Sequence, residues 1–115
     1  MPALAALAFI CAAPIAVDGD TLRCREQGLV RLLSIDAPEM PGHCRRGRRC
    51  TAGDPHASKG YLAGLIESGT VRCVMTARDR YGRILARCSA GGQDLSCAMV
   101  RSGHAVERYG RLTCK

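Results

Sequence analysis

The stretch VRLLSIDAPE, residues 30–39, combines the apolar pattern of a buried strand with charged residues inside it and after it. The apolar run over 29–35 predicts a β-strand; Arg31 lies within the run, and Asp36 and Glu39 follow it. The chain has 17 Lys and Arg against 10 Asp and Glu, a formal charge of +7, so acidic residues are scarce. Two carboxylates at the point where a strand reaches the surface therefore indicate a functional site.

Four other strands and two helices are predicted on either side of this stretch. The strands are expected at 9–17, 20–25, 70–75 and 84–90, and Asp18-Gly19 is typical of a tight hairpin turn with positive φ angles. One helix should begin at the N-cap Asp54 and end at Gly69, and the other should run from Asp94 through Ser102. Five short strands with a helix in the middle predict a β-barrel with helices, a five-stranded OB-type barrel with two short α-helices.

The first helix carries an apolar stripe that should face the core. Its members share one side of a helical wheel: Ala57, Tyr61, Leu62, Leu65 and Ile66.

The length of 115 residues predicts one domain, which we assign to residues 9–115. Residues 1–8 are left as an unassigned N-terminal segment that resembles the remnant of a signal peptide. The apolar start is too short and too broken for a membrane-spanning helix, so we expect no membrane anchor. We expect the domain to act as a monomer.

Eight cysteines in so short a chain predict disulfide bonds and an oxidising compartment, either periplasmic or extracellular. Spacing favours one set of pairs, across a short loop, across two predicted hairpins and between the two remaining residues: Cys44 with Cys50, Cys11 with Cys24, Cys73 with Cys88, and Cys97 with Cys114.

The basic charge, with a pI near 9.3, predicts an anionic partner. Nucleic acid ranks first, ahead of an anionic membrane or a cell-wall polymer, and the alternative is a solvated basic surface. The Arg-rich loop over 44–50 is either a disulfide-closed surface turn or an arm that follows a phosphate backbone. A zinc site formed by His43, Cys44, Cys50 and His56 is a further alternative for this loop.

Carboxylates at strand ends are the best candidates for chemistry. If strands two and three are neighbours, Asp20 and Asp36 approach each other, and a hard divalent cation would relieve their repulsion. Arg31 and Arg83 supply forked donors that match phosphate oxygens, and Glu39 is available to orient or deprotonate a water molecule. The alternatives are turn chemistry for each aspartate and a solvated surface charge for each of the other three residues.

Three motifs occur in the order, and at roughly the separations, found in the thermonuclease family, the staphylococcal-nuclease-like proteins. They are VDGDTLRC, RLLSIDAPE and DRYGR; in addition, ASKGYLAGLI and LSCAMVRSGHAVERY resemble that family's first and second helices. The resemblance covers about residues 15–109 and implies a five-stranded OB-type barrel that hydrolyses DNA and RNA with Ca²⁺. The chain departs from some members, which carry a third, C-terminal helix.

Carried over position by position, the resemblance implies a role for nine residues. Asp20 and Asp36 would bind the cation together with the backbone carbonyl of Ala37. Arg31 and Arg83 would hold the scissile phosphate, and Glu39 would activate water for in-line attack that leaves a 3′-phosphate and a 5′-hydroxyl. Three residues would line the nucleotide pocket: Arg80, Tyr81 and Tyr109.

The leading hypothesis is therefore a Ca²⁺-dependent, sequence-tolerant nuclease. The rival is a non-catalytic barrel that binds nucleic acid, and a disulfide scaffold that binds a protein partner is a third alternative. Few aromatic residues are available for base stacking, so strong sequence recognition is not expected.

Overall fold

The computed structural model describes residues 7–44, 47 and 49–114, and these residues form nine β-strands and two α-helices. In chain order they are β1 (Leu7–Ile10), β2 (Ile15–Asp18), β3 (Thr21–Cys24), β4 (Gly28–Leu32), β5 (Ile35–Asp36), α1 (Pro55–Ile66), β6 (Arg72–Arg78), β7 (Ile84–Ala90), β8 (Gln93–Asp94), α2 (Leu95–Arg101) and β9 (Val106–Glu107). The predicted count of five strands is not what the structure has, because two predicted strands are divided and β8 and β9 were not predicted. Most of the unassigned N-terminal segment, residues 1–6, lies outside the described residues, and the domain boundary stays a prediction.

The predicted first strand, 9–17, is wrong as a continuous element. Ala13 has a φ of 49° and Pro14 has no amide proton, so the chain breaks between β1 and β2. The linker between these strands, residues 11–14, still forms backbone hydrogen bonds. The Cys11 amide donates to the Val71 carbonyl just before β6, and the Arg25 amide just after β3 donates to the Ala12 carbonyl. The strands on either side of this linker therefore pair with different parts of the sheet.

The main sheet has the order β1-β6-β7-β4-β3-β2, and β8 adds to β7. Its ladders are antiparallel except for β4 with β7, which is parallel. The two edge strands of this order, β1 and β2, are consecutive in the chain. Closure of the sheet into the predicted OB-type barrel stays a prediction, whereas a mixed sheet with two helices is observed. A separate ladder joins β5 to β9.

The core lies between the sheet and the two helices. Along β7 every second residue is buried, from Ile84 to Ala90, as expected for a strand with one face inward. The predicted stripe on α1 is partly wrong: Leu62 and Ile66 are buried, but Ala57 and Tyr61 are exposed, and Ser58 is buried instead. The remaining member of the stripe, Leu65, is half-buried against the core.

Both helices begin where capping residues predict. The Asp54 carboxylate accepts from the amides of residues 56 and 57, and Asp94 accepts from the Cys97 amide. α1 ends at Ile66, slightly before the predicted stop at Gly69, and α2 ends at Arg101, one residue before the predicted end at Ser102, which is its C-cap. None of the helices in the described residues is long and apolar enough to cross a membrane.

All four disulfide pairs predicted from spacing are present, and no cysteine is free. The Cys11–Cys24 bond ties the β1–β2 linker to the end of β3, and Cys73 and Cys88 lie opposite each other in the β6–β7 register. Each such bond typically stabilises a protein by about 2–4 kcal/mol. The bond between Cys44 and Cys50 removes both thiolates from the zinc alternative, which is therefore wrong.

Candidate active site

The predicted site residues meet at a cleft of about 920 Å³ between the β2–β3 turn, the end of β4 and the β6–β7 turn. Seven of the nine line this cleft: Asp20, Arg31, Glu39, Arg80, Tyr81, Arg83 and Tyr109. The other two contact lining residues, because Asp36 accepts from Arg31 and the Ala37 amide donates to Asp20. The structure thus brings all nine residues into one region.

Arg31 joins the two aspartates of the site. It lies in the middle of the sheet, opposite Thr21 on one side and Leu85 on the other, and only 8% of it is exposed. Its Nη1 donates to the Leu32 carbonyl at 2.9 Å. Its Nη2 is 3.3 Å from Asp20 Oδ2 and 3.3 Å from Asp36 Oδ1, so these two oxygens are separated by at most twice that distance.

Asp20 is held in the β2–β3 turn by three hydrogen bonds. Its own amide donates to Asp18 Oδ1, and its two carboxylate oxygens accept from Thr21 Oγ1 and from the Ala37 amide, each at 2.9 Å. Burial raises the pKa of Asp20 from 3.8 to about 6, although the Arg31 guanidinium acts in the opposite direction. The carboxylate is therefore fixed in place but partly desolvated.

Gly19 allows this turn to pack closely. The predicted positive φ at Asp18 and Gly19 is wrong, since neither residue adopts it. A Cβ atom on Gly19 would instead overlap Ser58 Oγ and lie 2.8 Å from the Ala37 Cβ. Glycine is required here because α1 and the segment after β5 approach the turn, and this approach places Ala37 within reach of Asp20.

Asp36 is the most deeply buried acid of the site, with 1% of its side chain exposed. It pairs with Val106 in the β5–β9 ladder, and its Oδ2 accepts from Thr51 Oγ1 and from Arg108 Nη1, both at 2.8 Å. Sequence reasoning did not find these two partners. Thr51 follows the Arg-rich loop with no local signal, and Arg108 was one arginine among many.

The β6–β7 turn positions Arg83. Asp79 Oδ2 accepts from Arg83 Nε at 2.6 Å, and its Oδ1 accepts from the Arg83 and Tyr81 amides. Partial desolvation acts to raise the pKa of Asp79, but these hydrogen bonds outweigh it and lower the pKa. Asp79 is the first residue of the DRYGR motif, so its spacing of four from Arg83 was visible in the sequence, although its role was not predicted.

The remaining lining residues surround the mouth of the cleft. Glu39 is half-buried after Pro38, Arg80 Nη2 donates to the Tyr81 hydroxyl at 3.0 Å, and Tyr109 is 67% exposed. Tyr109 has a φ of 62°, a left-handed conformation that is strained for an aromatic residue. Four polar and aromatic side chains thus border the opening around the buried acids.

A family model described as staphylococcal nuclease homologue matches residues 29–114 of the chain. The chain belongs to this family. The resemblance drawn from the sequence motifs is therefore confirmed, and the match includes every predicted site residue except Asp20.

Relatives of this staphylococcal nuclease homologue carry names that include the word endonuclease. A protein named "uncharacterized endonuclease" from Haemophilus influenzae is 35% identical over 92 residues, which cover 76% of this chain and 46% of that protein. A protein of the same name from Escherichia coli is 34% identical over 99 residues, covering 81% of this chain and 58% of the relative. A "probable endonuclease" from Yarrowia lipolytica is 29% identical over 89 residues, covering 72% and 37%. The chain spans about half the length of the curated relatives it matches.

The oxygen donors of this staphylococcal nuclease homologue suit a hard cation but are few. Within the part of the chain that the structure describes, no group of three or more His, Cys, Asp and Glu side chains is arranged to hold a metal ion. Asp20 and Asp36 offer two converging carboxylates, and both are paired with Arg31. Ca²⁺ accepts carboxylate, carbonyl and water oxygens in flexible geometry, with about six to eight ligands. The donor set therefore fits Ca²⁺ if backbone and water oxygens complete its coordination.

Proposed function

We propose that the chain is a Ca²⁺-dependent, sequence-tolerant nuclease that hydrolyses phosphodiester bonds of DNA and RNA. The observation that carries the proposal is the convergence of Asp20 and Asp36 on one nitrogen of Arg31 beside a cleft lined by Glu39 and Arg83. Two carboxylates suited to a hard cation, two guanidinium groups and one further acid in one cleft form a set suited to phosphoryl transfer. The names of the relatives support the same activity.

Asp20, Asp36 and the Ala37 carbonyl are the residues that would hold the cation. When bound, Ca²⁺ would supply positive charge next to a phosphate in the cleft. The Arg31 guanidinium already borders the cleft, so a phosphate there competes with the two carboxylates for its donors. Arg83, held at Nε by Asp79, would contact the same phosphate with its other donors.

Glu39 would orient the attacking water and accept its proton. The water oxygen forms a new bond to phosphorus while the bond from phosphorus to the 5′ oxygen breaks. The products are a 3′-phosphate and a 5′-oxygen that takes up a proton to become a hydroxyl.

Arg80, Tyr81 and Tyr109 would contact the nucleotide next to the scissile bond. The tyrosine rings can stack on any base, which agrees with sequence tolerance and with action on both DNA and RNA. The net charge of +7 would attract the polyanion and would make binding sensitive to salt.

Four disulfides support the further proposal that the protein works in an oxidising, exported environment, periplasmic or extracellular. We also propose that it acts as a monomer.

Plasmid nicking tests the activity. Supercoiled DNA and a labelled RNA should be cut in Ca²⁺ and left intact after addition of a chelator, and the new ends should be 3′-phosphates. Binding without cleavage in both conditions would instead support the rival function, a non-catalytic nucleic-acid-binding domain.

A further inference from the structure

Among the residues that the structure describes, Arg108 forms the shortest ion pair with Asp36. Its Nη1 lies 2.8 Å from Asp36 Oδ2, whereas Arg31 Nη2 lies 3.3 Å from Asp36 Oδ1. The two guanidinium groups thus hold opposite oxygens of one buried carboxylate. Thr51 shares Oδ2 with Arg108, also at 2.8 Å.

The backbone around Arg108 connects the same residue to the mouth of the cleft. Its amide donates to the Ser34 carbonyl at 2.9 Å, just beyond the two-residue β5–β9 ladder. The next residue is Tyr109, which has the strained φ of 62° and lines the cleft. Arg108 therefore fixes Asp36 through its side chain and the start of the Tyr109 segment through its backbone.

We propose that Arg108 is a positioning residue: it occupies Asp36 Oδ2 so that Oδ1 stays turned toward Asp20, and it thereby sets the affinity of the paired aspartates for a divalent cation. This inference rests on the proposed function, because it assumes that Asp20 and Asp36 bind Ca²⁺. Hydrogen-bonded partners that orient metal-binding carboxylates commonly change metal affinity by about 10- to 100-fold when they are removed.

The orienting effect of Arg108 and the effect of its charge predict opposite changes in Ca²⁺ affinity when the residue is replaced. By Coulomb's law alone, removal of the Arg108 charge would favour a cation at Asp36, so binding would become tighter. If Arg108 orients the carboxylate, its removal weakens binding instead. The sign of the change in affinity therefore decides between the two effects.

The test is calorimetric titration of the whole chain with Ca²⁺ alone. Arg108→Met should raise the Ca²⁺ dissociation constant about 10- to 100-fold, and Arg108→Lys, which keeps a cation near Asp36, should raise it less. Arg111→Met is the matched control, because Arg111 is exposed on the same segment and its loss changes the net charge equally. Cleavage by Arg108→Met should be lost at low Ca²⁺ and restored when Ca²⁺ is raised.

Each result has one meaning. Unchanged or tighter Ca²⁺ binding by a folded Arg108→Met protein overturns the proposal and leaves the nuclease function standing. If circular dichroism shows that Arg108→Met does not fold, Arg108→Lys decides, and wild-type affinity in that variant overturns the proposal. If the wild-type protein neither binds Ca²⁺ nor cleaves, the proposed function fails first and the role of Arg108 fails with it.

Discussion

At the scale of the residue, the site is organised by Arg31, which contacts Asp20 and Asp36 through one nitrogen. The two acids differ in their other partners: Asp20 accepts from a hydroxyl and a backbone amide, and Asp36 accepts from a hydroxyl and a second guanidinium. Burial raises the pKa of Asp20 to about 6. The pH dependence of stability can therefore test the environment of Asp20.

Asp20 should make the free energy of unfolding fall as pH rises from about 4 to about 6. Its pKa is about 6 in the folded protein against an ordinary 3.8, so the folded state binds the proton more tightly and loses this advantage as the pH rises. Measured in chelator by urea unfolding, Asp20→Asn should gain stability relative to wild type by roughly 2 kcal/mol across this range. A difference between the two proteins that stays flat with pH would contradict the assignment.

Glu39→Gln should reduce cleavage by about 10²- to 10³-fold while the protein stays folded, because the amide cannot accept the proton of the attacking water. Arg83→Ala should cause a loss of similar size by removing a donor to the phosphate. Glu67→Gln at the end of α1 is the matched control for charge, since Glu67 is exposed and outside the cleft lining. Nicking rates at saturating Ca²⁺ measure the effect, and turnover at the wild-type level in either site variant would overturn its assigned role.

At the scale of the element, the decisive contact is the approach of α1 and the residue after β5 to the β2–β3 turn. The Asp18-Gly19 pair was predicted to supply a positive φ, but the structure uses Gly19 for space against Ser58 and Ala37. The strand, helix and cap positions were largely predictable, because each depends on local periodicity or on a capping side chain. Contacts such as Arg108 with Asp36, which are 72 residues apart, follow from packing and leave no local pattern.

Gly19→Ala should destabilise the fold by about 1–3 kcal/mol, because the added methyl group overlaps Ser58 and forces the turn away from Ala37. Thermal unfolding measures this. Adding Ser58→Ala removes the Oγ atom that the new methyl group overlaps and should recover part of the loss. The recovery is incomplete because the Ala37 contact at 2.8 Å remains and the hydrogen bond from Ser58 to the His104 carbonyl is lost.

Gly60→Ala in α1 is the control for this substitution. No atom lies within 4 Å of its added Cβ, so it should stabilise the protein by about 0.5–1 kcal/mol through helix propensity. If Gly19→Ala and Gly60→Ala lost equal amounts of stability, steric overlap at the β2–β3 turn would not be the cause of the destabilisation.

At the scale of the whole molecule, four disulfides each close a short stretch of chain. Two of them tie parts of the main sheet, one joins Cys44 to Cys50, and one joins α2 to the C-terminal segment. The pairing followed from spacing because each bond spans only 6 to 17 residues. The division of the first predicted strand did not follow from spacing. Pro14 is a sign of a break that the sequence shows. The pairing of β1 with β6, however, joins segments about 60 residues apart and leaves no local pattern, whereas β2 pairs with the neighbouring β3.

Stepwise reduction should open Cys44–Cys50 first and Cys97–Cys114 second. Cys44 is exposed and Cys50 half-buried, one cysteine of the second pair is exposed, and the sulfur-bearing residues of the other two pairs are all buried. Mass-spectrometric mapping of alkylated thiols at increasing reductant concentration would measure the order. Early opening of Cys11–Cys24 or Cys73–Cys88 would contradict it.

The bond between the Ala37 amide and Asp20 Oδ2 has a practical consequence for protein production. An expression fragment trimmed to the family match at Leu29 would omit the β2–β3 hairpin and with it one of the paired acids. Such a fragment would also expose the flank of β4 that the hairpin normally covers. Boundaries for recombinant work on this protein should therefore be drawn upstream of that hairpin.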